Sequence, residues 1–138
     1  MKLQARHGLV FLVALAACGG ASASGPAPAT PSTAGALDGT SYDVVLEFPA
    51  APAEKDTLRF ANQAFESTAC TGLGFPRWTP YGARQDAGAT TFHVKTVHPS
   101  GTTMDWTGSV KGDAVDGTVN RTMNGHTEAL PFKGARHS

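Results

Sequence analysis

Arg121 and Glu128 are the pair in this 138-residue chain whose types and spacing most readily suggest chemistry. A two-residue turn at Asn124-Gly125 sets them opposite each other on adjacent antiparallel strands, on the inward face and one step from the turn. There they can form a rim ion pair. Alternatively Arg121, beside Met104 and Trp106, can orient the acidic or polar head of a ligand whose tail lies among apolar side chains, which makes Met104, Trp106, Arg121 and Glu128 the candidate ligand residues. Cys70 is the one candidate nucleophile, but a competent thiolate needs a base or positive group beside it, and no histidine stands near it in the sequence. It reads as a small buried hydrophobe, with thiol chemistry as the enzymatic alternative should His93 or His126 reach its sulfur. The histidines at 93, 98, 126 and 137 show no i, i+2 or i, i+4 spacing, so no metal site is expected. No Ser/His/Asp arrangement or glycine-rich phosphate loop is present, so neither a catalytic residue nor a cofactor is expected. Phe75 and Trp78, in the longest connection (residues 69–78), are candidate contacts for a protein partner. A plug over one end of the fold explains Trp78 equally well.

These residues must be positioned by strands. From Thr40 onward apolar and polar residues alternate repeatedly, and no segment is long enough for an amphipathic helix of three turns. The alternation predicts strands at 40–48, 57–61, 64–68, 79–86, 89–98, 102–110, 114–123 and 126–133. The turns fix the register independently. Asn124-Gly125 pairs Val119 with Leu130, Gly112-Asp113 pairs Trp106 with Val119, and Pro99-Ser100-Gly101 pairs Val94 with Trp106. Turns at Ala87-Gly88 and Asn62-Gln63 pair Ala83 with Phe92 and Phe60 with Phe65. A slip of one residue reverses every side chain of a strand, so agreement of these turns on one apolar face predicts a common interior. The expectation is an all-β, eight-stranded antiparallel up-and-down barrel, with an open sheet or two-sheet sandwich as the alternative.

The N-terminus carries a different signal. Lys2 and Arg6 precede an apolar run at residues 9–17, the layout of an export signal. The run is far short of the ~20 apolar residues a spanning helix needs. Leu15-Ala16-Ala17-Cys18 resembles the lipobox of bacterial lipoproteins, which implies that residues 1–17 are a signal peptide and that the Cys18 thiol carries a lipid. Gly19 after the cysteine implies, within that family, sorting to the outer membrane of the cell envelope, facing the periplasm. Ordinary secretion with cleavage after Ala23 is the alternative. Residues 18–36 then form a tether of Gly, Ala, Ser, Pro and Thr, a composition that buries too little to order itself, and residues 37–138 form the barrel domain. The small barrel on a lipoprotein resembles the lipocalin-like, or calycin-type, barrels of bacterial envelopes. Trp106 to Thr118 resembles a W-x-G-x-V-x-G-D-x-(I/V)-x-G-T hairpin of envelope lipoproteins. The lipocalin Gly-x-Trp of the first strand is absent, with Tyr42 where the Trp would stand.

Charge narrows the partners. Without Lys2 and Arg6 the chain keeps 9 basic against 11 acidic residues, a formal charge of −2, which argues against nucleic acid. With lipid on Cys18, Cys70 has no disulfide partner in the chain. The expected function is a non-enzymatic, membrane-anchored lipoprotein whose barrel binds a small apolar or amphipathic molecule. The alternative is a protein-partner module, an inhibitor or envelope-assembly factor, using the 69–78 loop.

Overall fold

The computed structural model describes residues 33–138. The expected signal peptide, Cys18 and most of the tether lie outside the described residues. Nine strands form one antiparallel sheet: β1 (Thr40–Phe48), β2 (Ala51–Ala61), β3 (Ala64–Ser67), β4 (Thr79–Pro80), β5 (Gly82–Asp86), β6 (Ala89–Val97), β7 (Thr103–Lys111), β8 (Ala114–Met123) and β9 (His126–Arg136). One short helix, α1 (Thr68–Gly72), follows β3. The first strand pairs with β2 along one edge and with β9 along the other, so the meander curls into a nearly closed barrel.

The strand count corrects the eight expected. The stretch expected as one strand, 79–86, is two. Up to Pro80 the chain pairs with β3, and from Gly82 it pairs with β6. Tyr81, at the changeover, is buried, donates its backbone N–H to Gln63, and holds its hydroxyl between the Leu37 N–H and the Asp38 carboxylate. One continuous segment thus hands the sheet from one edge to the other. The far edge of β5 is met in part by Thr33, whose N–H donates to the Ala83 carbonyl, and Leu37 is buried in the core. Among the described residues, Thr33 and Leu37 thus both make contacts with the barrel.

The turns behave as their sequences predict. Asn62, Gln63, Ala87 and Asn124 all adopt positive φ, as do Gly88 and Gly125, which gives the hairpins the twist their strands require. Gln63 at φ +61 has its N–H held by the Asp38 carboxylate at 2.9 Å. The registers match: Val119 faces Leu130, Trp106 faces Val119, Val94 faces Trp106, and Phe60 faces Phe65. Val44, Phe60, Phe92, Trp106, Val119 and Leu130 are all buried in the one interior.

Six strand boundaries differ from expectation: β6 ends at Val97 rather than 98, β7 runs from Thr103 to Lys111 rather than from 102 to 110, and the other three have a physical reason. The second strand starts at Ala51 rather than 57. Its first residues pair only with β1, so the missing N–H of Pro52 costs no ladder bond on the other edge. The last strand runs on to Arg136 because β1 supplies partners as far as Tyr42. The third strand ends at Ser67, whose hydroxyl accepts from the Cys70 N–H at 3.1 Å and caps α1.

Rings fill the body of the barrel. Phe60, Phe65, Tyr81, Phe92, Trp106 and Phe132 meet at centroid separations of 4.9–6.5 Å. Gly108 and Gly117 face each other beneath them. A Cβ on Gly108 would sit 2.5 Å from the Phe92 ring, and one on Gly117 would sit 2.2 Å from the Thr107 carbonyl. Phe92 and Phe132 fit because those two positions carry no side chain.

Candidate ligand pocket at the open end of the barrel

Where β1 and β8 end and β2 and β7 begin, the interior opens into a cavity of about 240 Å³. Its apolar wall is Leu46, Phe48, Cys70, Leu73, Phe75 and Met104, with Met123 at the lip. Glu54, Lys55, Asp56, His98 and Arg121 bring charge or polarity to its border. Strand alternation directs Leu46 and Met104 inward, and α1 lays Cys70 across the opening. Two large apolar side chains at the mouth stay exposed: Leu73 at 71% and Met123 at 48%.

The candidate ligand residues divide between two places. Met104 and Arg121 line the cavity and face each other across β7 and β8. Arg121 donates to Glu128 at 2.6 Å, and its guanidinium lies over the Phe48 ring at 5.5 Å. Glu128 thus borders the mouth as the partner of Arg121. Trp106 lies one inward step deeper, fully buried in the ring cluster and away from the cavity lining. The candidate partner residues are likewise separated. Phe75 turns into the mouth against His98 and is buried, whereas Trp78 lies outside, 39% exposed, beneath the Arg59 guanidinium.

A buried polar bridge fastens α1 over the opening. Asp56 accepts hydrogen bonds from the Thr57 and Ala69 N–H groups and from the Ser67 and Thr68 hydroxyls. Glu66, also buried, accepts from Arg59 and Arg77, each at 3.2 Å, which ties the following connection to the outside of β2 and β3. His98 closes the other side. Its Nδ1 accepts from the Ser100 N–H, so its Nε2 is left to donate to the Leu73 carbonyl at 3.2 Å.

Burial pushes the Cys70 thiol up to about 11, the Ser67 hydroxyl pulls the other way, and the Asp56 and Glu54 charges add to the rise. Burial thus favours its neutral thiol form at neutral pH. His93 is engaged with Asp105 on the outer surface and His126 is exposed at the start of β9. Among the described residues no three His, Cys, Asp or Glu side chains are grouped to hold a metal, and no helix is long and apolar enough to cross a membrane.

Asp56 is the cavity residue that sequence reasoning missed. The inward positions of β2 were read at Leu58 and Phe60, and two residues further back the same alternation reaches Asp56. The strand expected at 57–61 begins one residue too late to include it. No protein-family model, curated protein or solved structure matches this chain.

Proposed function

We propose that this chain is a lipid-anchored protein of the cell envelope, attached through Cys18 to the outer membrane and facing the periplasm. Its barrel acts without catalysis, holding a small apolar or amphipathic molecule in the cavity between Met104 and Arg121. The observation that carries the ligand reading is the cavity itself. A packed barrel gains nothing from an unfilled apolar mouth fringed by exposed Leu73 and Met123. At about 30 Å³ for each water-sized group, 240 Å³ admits roughly eight heavy atoms, a short chain or a single ring. The Cys70 thiol, protonated at neutral pH, supports a role in packing over one in catalysis.

The test is isolation of the native protein from its own membrane, with mass spectrometry of what accompanies it. A stoichiometric small molecule, lost from a Met104→Trp variant that fills the cavity, is the expected result. Clean protein with no bound compound, and no binding across a fragment library, overturns the ligand reading. Labelling with a fatty acid, present in the intact chain and absent from Cys18→Ser, tests the anchor separately.

A second reading has its own observation. Leu73 and Trp78, both in the connection after β3, are exposed apolar side chains that a protein partner would cover. Under that reading Leu73→Ser and Trp78→Ser weaken capture of an envelope protein without altering the fold.

A further inference from the structure

We infer that the occupant of this cavity carries a positive charge: it is a small amine or quaternary ammonium with a short apolar body, and the buried Asp56 carboxylate is its counter-charge. The inference rests on the ligand reading above and specifies its chemistry.

Asp56 lines the cavity and is 6% exposed. A carboxylate taken out of water needs either a cation or a full set of donors. It has four donors, the Thr57 and Ala69 N–H groups and the Ser67 and Thr68 hydroxyls, and none of them is charged. Three of the four converge on Oδ1. Oδ2 receives only the Ser67 hydroxyl, so a lone pair remains for a further donor. Among the described residues Asp56 makes no ion pair.

The other charges at the mouth do not reverse this sign. Arg121 is already answered by Glu128 at 2.6 Å. Lys55 and Glu54, the neighbours of Asp56 along the strand, are exposed and opposite in charge, and exposed charges are screened by water. His98 is engaged on both ring nitrogens. The buried charge therefore dominates what a ligand meets inside. The Phe48 ring already holds one cation on its face in Arg121, and Phe75 offers a second ring in the same wall.

Three probes of equal length decide the matter: hexylammonium, hexanol and hexanoate, titrated into the full chain by calorimetry at low ionic strength. Hexylammonium is expected to bind at least about tenfold more tightly than hexanol, with hexanoate weakest. Asp56→Asn is expected to erase the preference for hexylammonium over hexanol, while Glu54→Gln leaves most of it. Equal binding of the three probes overturns the cationic assignment and leaves the ligand reading standing. Tightest binding of hexanoate also overturns it. Binding of none of them removes the ligand reading and this inference together. The ranking in the unaltered chain suffices for the decision should Asp56→Asn fail to fold.

Discussion

The two halves of the barrel interior are built from the same alternation and end in opposite conditions. From Trp106 inward, rings contact rings, and Gly108 and Gly117 give up their side chains so that Phe92 and Phe132 fit. One step outward, at the level of Met104 and Arg121, flexible and charged side chains share the space with the Phe48 and Phe75 rings and leave about 240 Å³ open. The difference shows how a small barrel can be divided into a floor that holds the fold and a mouth that is free to vary. Rings at the floor come from β2, β3, β6, β7 and β9 and pack those strands against one another. Side chains at the mouth carry less of the packing.

Deleting a floor ring should break this division most severely. Trp106→Ala is expected to cost about 4 kcal/mol in urea unfolding, all of it packing, since among the described residues the indole N–H has no hydrogen-bond partner to lose. Gly117→Ala follows at about 3 kcal/mol, because its Cβ would meet the backbone carbonyl of Thr107, which cannot step aside. A cost under 1 kcal/mol for either would show that the floor is not rigid.

Alkali tests the cover of the mouth. The folded pKa of Cys70, about 11, stands above its ordinary 9.0, so this contribution to stability is whole below about pH 9 and is lost as pH rises toward 11. Two pH units correspond to about 3 kcal/mol. Burial likewise pushes the Tyr81 hydroxyl up, from 10.0 to about 12, so the decline continues beyond the thiol's range. Chemical denaturation from pH 8 to pH 11 should show the loss, and Cys70→Ala should reduce it. A profile flat across that interval would mean that the thiol is already open to water.

Two substitutions sharpen the contrast with small effects. Tyr42→Phe removes a buried hydroxyl that has no partner among the described residues, and a gain of about 1 kcal/mol in thermal or urea unfolding is expected. Glu128→Gln at the mouth breaks the pair with Arg121, whose members are 34% and 29% exposed, and should cost less than about 1 kcal/mol. A loss of several kcal/mol there would make the rim pair part of the fold's support.

Much of the architecture was legible because hairpin chemistry is local. Asn124-Gly125 and Asn62-Gln63 each fix a register within a few residues, and those registers carried Trp106, Val119 and Leu130 to the same interior. The division of residues 79–86 was not legible. Nothing between Thr79 and Asp86 states that Pro80 pairs with β3 while Gly82 pairs with β6, since that depends on where two distant edges meet. The site was legible in part. Register alone placed Arg121 against Glu128 and Met104, whereas Asp56 entered through contacts with Ser67, Thr68 and Ala69 that bridge β2 to α1.

By itself the sequence determined the all-β class, the turns, the facing residues of each hairpin and the apolar face, because these depend on neighbours along the chain and on a period of two. Only the tertiary structure decided that the two edges approach through Tyr81, that Trp106 is floor rather than cavity wall, and that a buried carboxylate borders the opening. Each depends on where segments far apart in sequence meet, and pairing between near neighbours cannot specify that.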